Sequence, residues 1–204
     1  MNTLECFFLD HIWSGLLVWS ALYISDYRLT LACARLYSQK VSKSIAFEGS
    51  FEITPYFQSD IDSLRVVSPR FLAAMVVSWV YLAAVWWLAA VSQPCLYQFV
   101  LGAMISSELA IHVRHVRNLY LFRAIVASSS VHGRIEYPRP LVLRMSAAEL
   151  LAFSVLFGIV SVFTASWFLV GGAAACLGIA LKHRRLADRH VAGASARVAT
   201  VQTS

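Results

Sequence analysis

Three titratable side chains, Glu108, His112 and His115, follow one another at spacings of four and three residues in the stretch ELAIHVRHVRN. On an α-helix of about 100° per residue, these spacings place the three side chains within roughly 60° of one another. They therefore share one face of the predicted helix. Asn118 follows three residues later and completes the candidate row.

Three interpretations of this row stay open. Polar side chains in membrane bundles often hydrogen-bond across helices and need no ligand. An acid beside imidazoles, which titrate near neutral pH, can also carry protons or contact a polar substrate. Glu108, His112 and His115 offer three metal ligands as well, so a divalent metal is possible, but it is the less favoured interpretation because the spacing matches no established motif such as HExxH. The cofactor is otherwise unknown.

The composition of the chain identifies the environment of this row. Of the 204 residues, 59% are hydrophobic and only 14% are charged, and the mean hydropathy is +0.65. Soluble domains are less apolar and more charged. The sequence predicts an all-α, polytopic membrane helical bundle in the cell (inner) membrane. The net charge of +6 does not indicate nucleic acid, because basic residues in such a chain mark the cytoplasmic ends of spans.

The apolar stretches predict about five membrane-spanning helices, since one crossing needs about 20 apolar residues. They belong to a single transmembrane domain, residues 1–186, followed by a disordered cytoplasmic tail, 187–204. A turn is expected at Thr164 to Trp167, because one helix from Ala147 to Leu181 would be about 50 Å long. The predicted spans are 10–34, 71–92, 95–114, 147–164 and 166–182, with a cytoplasmic loop at 36–70.

Two further patterns support this topology. With the amino terminus outside and the carboxyl terminus in the cytoplasm, all 17 Lys and Arg lie in or at the inner edge of the inner segments. A four-span arrangement would move the cluster that begins at Lys182 outside. In the last span, the small residues Gly171, Gly172, Ala174 and Gly178 predict a face for close helix packing.

A second acid, Asp26, lies in the first span at a depth similar to that of Glu108 in the third. Glu108 is about 20 Å along its helix from Cys95, which places it in the inner leaflet. Trp19, Tyr23, Thr30 and Cys33 share the Asp26 face. We expect either a shared inner-leaflet site or an ion pair of Asp26 with an arginine such as Arg28 or Arg114.

The loop and the arginines give two more expectations. The alternation from Phe47 to Ile53 has the period of a strand, and the loop could fold back as a lid that brings Glu48 and Glu52 to the histidines. The arginines at the inner ends of the spans are expected to contact the lipid bilayer and its anionic headgroups. They are Arg114, Arg117, Arg139 and Arg144.

The function predicted from these features is proton- or ion-linked transport or membrane regulation through the acid and histidine site. One alternative is a membrane-embedded, metal-dependent hydrolase or transferase of lipid-like substrates. Another is an accessory subunit of a membrane complex. A chain of this size could build a pathway as a homo-oligomer or with another membrane subunit.

Overall fold

The computed structural model describes residues 3–49, 53–89, 92–128 and 132–202, and these are helical apart from short strands and connections. A 3₁₀ turn, Val41–Lys43, precedes strand β1 (Ile45–Phe47), and strand β2 is Ile135–Tyr137. The α-helices in the described ranges are α1 (Thr3–Asp10), α2 (Ile12–Gln39), α3 (Gln58–Asp62), α4 (Pro69–Ala89), α5 (Pro94–Ala127), α6 (Arg139–Thr164) and α7 (Trp167–Gln202). The all-α prediction is confirmed, and the predicted spans overlap α2, α4, α5, α6 and α7.

Within the described residues, three helices are long and apolar enough to cross a membrane, namely α4, α5 and α6. Each has its proline only in the first turn, where the missing N–H removes no helical hydrogen bond. Large apolar side chains on α6 point away from the bundle. Val162 is 80% exposed and Phe163 is 83% exposed. An outward apolar surface of this kind fits a membrane protein, because lipid covers it.

The long helices alternate in direction. α2 and α5 run parallel, since Gly15 lies against Tyr97 near their beginnings and Thr30 bonds His115 farther along both. α2 and α4 run antiparallel, since Ser20 contacts Trp79 and Tyr27 contacts Phe71. α6 and α7 also run antiparallel, since Ser154 bonds Ala173 and Arg144 pairs with Asp188. α2 therefore points in the same direction as α5 and opposite to α4.

Glycines bring α5 and α7 together backbone to backbone. A Cβ atom added to Gly102 would lie 1.9 Å from the carbonyl oxygen of Phe168, and one added to Gly171 would lie 1.9 Å from that of Phe99. Gly172 also faces α5, where an added Cβ would meet a side chain at 2.5 Å. Close packing at Gly171 and Gly172 is therefore confirmed.

The same prediction is wrong for Ala174 and Gly178. Ala174 is exposed, and a Cβ added to Gly178 would meet nothing within 4 Å. The buried positions of α7, where burial is described, are Gly171, Gly172, Cys176, Ala180 and Ala187. Gly178 lies only about 20° from Gly171 around the helix, so its open surroundings reflect its position about two turns farther along α7 rather than a different face.

The connection between the last two long helices falls inside the predicted turn. α6 ends at Thr164 and α7 begins at Trp167, and Ala165 between them has φ 50° and ψ 35°. Glycine more often takes this left-handed conformation at a helix end. α7 then continues as a helix to Gln202, through residues for which the sequence predicts disorder.

Two distant connections are joined by a parallel strand pair. Ile45 of β1 lies opposite Ile135 of β2, and Phe47 lies opposite Tyr137 with their rings 5.6 Å apart. The strand begins two residues before the alternating stretch that predicted it, and residues 50–52 lie outside the described ranges. The pair thus ties the α2–α4 connection to the α5–α6 connection.

We expect Gly102→Ala to lower the free energy of unfolding in detergent by about 1–3 kcal/mol, because the added methyl group overpacks the α5–α7 contact. Gly178→Ala is the matched control, since the same atom enters open space there and alanine favours the helix. Thermal unfolding of both purified variants measures the difference. Equal transition temperatures would contradict the glycine contact.

Ser68 fixes the start of α4. It is fully buried, donates to Asp60 Oδ2 at 2.6 Å and accepts from the Phe71 N–H at 3.2 Å. Ser68→Ala removes both bonds, so we expect a loss of about 1–2 kcal/mol in unfolding free energy. Ser63→Ala, at an exposed hydroxyl in the same connection, is the control. A Ser68→Ala transition temperature equal to that of Ser63→Ala would show that this cap does not matter.

Candidate functional site

The two predicted acids and one histidine meet where α2 packs against α5. Asp26 comes from α2, whereas Glu108 and His112 lie one helical turn apart on α5. One potential ligand atom from each of the three residues falls within 4.8 Å of the others. We call this group the seam cluster. Asp26 and Glu108, which the sequence predicts at similar depths, lie side by side in the structure.

His115 lies behind Asp26 in the same seam. Its Nδ1 is 2.7 Å from Asp26 Oδ1 and 3.2 Å from Thr30 Oγ1, and the two side chains of the ion pair are only 11% and 20% exposed. Since the carboxylate accepts, Nδ1 carries the proton of this bond. The ion pair of Asp26 that the structure shows is therefore with His115, whereas the alternative expectation named Arg28 or Arg114.

His112 has a fixed tautomer. Its Nδ1 lies 2.8 Å from the backbone oxygen of Glu108, so Nδ1 donates and Nε2 faces α2, 2.5 Å from Ser25 Oγ. The Ser25 hydroxyl also lies 2.9 Å from the Leu22 carbonyl oxygen. It can donate to a neutral Nε2 or, when Nε2 carries a proton, accept from it and donate to Leu22. Both charge states of His112 thus keep their hydrogen bonds.

Glu108 is the least satisfied member of the seam cluster. Its Oε2 atom is buried and has no hydrogen-bond partner among the described residues. A buried carboxylate oxygen without a donor is costly, and a second carboxylate nearby raises that cost. Glu108 therefore needs a proton or a cation.

A cavity of about 200 Å³ adjoins the seam cluster through His115. Phe47 and Tyr137 of the strand pair contribute to its apolar wall. Its polar lining residues are Arg114, His115, Arg117, Asn118, Ser146 and Glu149. His115 is thus shared by the cavity and by the ion pair with Asp26.

Arg114 and Arg117 turn toward α6. Arg114 donates to Ser146 Oγ, and Arg117 pairs with Glu149, while Asn118 Oδ1 lies 3.4 Å from the Arg117 guanidinium. From the sequence, both arginines were expected to reach lipid phosphates or the cytoplasm. The Arg117 side chain is still 55% exposed, so its bond to α6 leaves room for contact with lipid headgroups.

The other predicted contributors lie outside the seam. Glu48 Oε2 accepts from the Arg139 backbone N–H at 2.9 Å, so the structure places it at the start of α6 rather than beside the histidines. The Arg139 guanidinium donates to the Ile53 carbonyl oxygen, and Arg144 pairs with Asp188 at 3.1 Å. Glu52 lies outside the described residues. Headgroup contact by the four arginines stays a prediction.

Two serines that the sequence pattern does not single out also contact the site residues. Ser25 contacts His112, and Ser146 bonds both Arg114 and, at 3.0 Å, His183 Nδ1. A hydroxyl in an apolar helix usually bonds its own backbone, so the residue type alone gives no signal. The position of Ser25 directly before Asp26 was the available clue.

The seam therefore combines two carboxylates, two imidazoles and hydroxyl groups, with a cavity on one side. Such a set can exchange protons or hold a cation. No family model, curated protein or solved structure matches the chain.

Proposed function

We propose that the chain crosses the cell (inner) membrane five times, through α2, α4, α5, α6 and α7, with its amino terminus outside and its carboxyl terminus in the cytoplasm. The apolar character of α4, α5 and α6 and the alternating helix directions support this topology. The charge pattern supports the orientation, because the basic residues lie toward the end at which α2 finishes.

We propose further that the protein carries out proton- or cation-linked transport through the site of Asp26, Glu108, His112 and His115. The observation that carries this proposal is the seam cluster beside the ion pair of Asp26 and His115. Ionisable groups at this depth are costly to retain, and in membrane proteins they commonly mark ion or proton pathways.

The hydrogen bonds around the histidines suit proton exchange. Ser25 gives His112 a partner in both of its charge states, and His115 holds Asp26 on one side while it lines the cavity on the other. A proton or cation that enters the cavity is thus separated from Asp26 by one side chain, that of His115. A homo-oligomer or a partner subunit would complete the pathway to the other membrane face.

The proposal predicts that Glu108→Gln abolishes flux while the protein still inserts, because the amide keeps the size of the side chain but holds neither a titrating proton nor a cation. Purified protein is reconstituted into liposomes that contain a pH-sensitive dye, and a potassium diffusion potential drives proton entry. A second set, loaded with a metal-sensitive dye, receives Zn²⁺ or Mn²⁺ outside.

Glu136→Gln is the matched control, because Glu136 is an exposed acid of β2 that pairs with Arg134. We expect the wild type and this control to conduct equally. Wild-type liposomes that pass neither protons nor either metal, or a Glu108→Gln flux equal to that of the wild type, would overturn the transport proposal.

A further inference from the structure

We infer that Asp26, Glu108 and His112 bind one divalent transition-metal ion, of the class of Zn²⁺ or Mn²⁺, in the seam between α2 and α5. The inference rests on the proposed function, because it names the cation that the same site takes. It differs from the set expected from the sequence, in which His115 was a ligand and Asp26 was not.

The donor atoms have the right kind and separation. Each of the three residues offers one atom, and these atoms lie within 4.8 Å of one another. Ligands at about 2.0–2.2 Å from a zinc ion are themselves roughly 3–4 Å apart, so small side-chain rotations would close the set. A dication would also neutralise the two carboxylates, which otherwise repel each other in an apolar bundle.

The imidazole of His112 is prepared as a ligand. Because Nδ1 donates to the Glu108 backbone oxygen, Nε2 is the atom left for a metal. Metal-binding histidines usually have their second nitrogen held by such a carbonyl or carboxylate. When a metal replaces Ser25 at the His112 Nε2 atom, the Ser25 hydroxyl can still donate to the Leu22 carbonyl oxygen, 2.9 Å away.

The carboxylate of Asp26 is positioned in a comparable way. The His115 N–H holds one of its oxygens at 2.7 Å, and Thr30 Oγ1 lies 3.2 Å from the same ring nitrogen. Ligating carboxylates are commonly fixed by hydrogen bonds of this kind. His115 is therefore a positioning residue for the metal rather than a ligand.

Glu108 supplies the independent observation. Its Oε2 is buried and has no hydrogen-bond partner among the described residues, although the same carboxylate belongs to the seam cluster. A structural role in packing would call for a donor at this oxygen. A metal ion meets the requirement and, at the same time, accounts for the convergence of Asp26 and His112.

The chemistry of the donors selects the class of metal. Calcium takes six to eight oxygen ligands, and magnesium keeps most of its water, so neither favours an imidazole nitrogen. Imidazole with carboxylates suits zinc, manganese and iron. Three protein ligands also leave a coordination position open for water or an exchanging ligand.

The test is metal binding by the full-length protein in detergent, with affinity tags removed and metal stripped by a chelator. Co²⁺ is titrated and followed by its visible absorption bands, and Zn²⁺ is titrated in competition with a coloured chelator. We expect one ion per chain. His112→Ala should abolish the Co²⁺ spectrum, and His115→Ala should weaken binding by about 10–100-fold, as loss of an outer-shell partner does.

His132→Ala is the matched control, because His132 is an exposed histidine of the α5–α6 connection. It should bind Co²⁺ like the wild type. Size-exclusion profiles check that each variant is folded, and Glu108→Gln replaces His112→Ala if that variant aggregates. Absence of a Co²⁺ spectrum in the wild type, or equal binding by the wild type and the ligand variants, would overturn the inference.

The metal inference and the proposed function fail in different ways. If the stripped wild type binds no metal but conducts protons in a Glu108-dependent manner, the metal inference is wrong and the transport proposal stands. If one metal binds through His112 but the liposomes conduct neither protons nor metal, the transport proposal is wrong. A metal-dependent hydrolase or transferase is then the hypothesis to pursue.

Discussion

A carboxylate inside an apolar helix bundle requires a proton, a cation or hydrogen-bond donors, and the seam between α2 and α5 contains two carboxylates. Asp26 has the N–H group of His115, but Glu108 has an oxygen without a donor in the described part of the chain. The hydroxyls of Ser25 and Thr30 surround the two imidazoles rather than this oxygen. The polar groups of the bundle thus surround Glu108, one of whose carboxylate oxygens receives no hydrogen bond from the described side chains.

The face and depth of the site residues could be predicted because both are local properties of a helix. The spacing of Glu108 and His112 fixes their angle around α5, and the distance of each acid from the start of its helix fixes its level. The turn at residues 164–167 follows from length alone, since one helix of that size exceeds the bilayer. The parallel packing of α2 against α5, which brings Asp26 to Glu108, could not be derived in this way.

The residue to which a side chain bonds depends on which helix or strand lies beside it. Residue spacing within one helix does not contain that information. Arg117 pairs with Glu149 of α6, a partner that its position on α5 does not reveal. Glu48, which a folded-back loop could bring to the histidines, bonds the Arg139 N–H instead, because β1 pairs with β2. β2 is a strand of three residues far along the chain, and its pattern is too short to recognise. His115 bonds Asp26 of α2 at 2.7 Å, a contact that residue spacing within α5 does not reveal.

The glycine contact between α5 and α7 leaves no room for water on that side of α5. At Gly102 and Gly171 the backbones of α5 and α7 are so close that even a methyl group would overlap a carbonyl oxygen, so no water molecule fits between them. On a helical wheel, Glu108 and His112 project from the opposite side of α5. α5 is therefore tightly packed against α7 at its glycine contact, whereas its polar side chains lie toward α2 and toward the cavity.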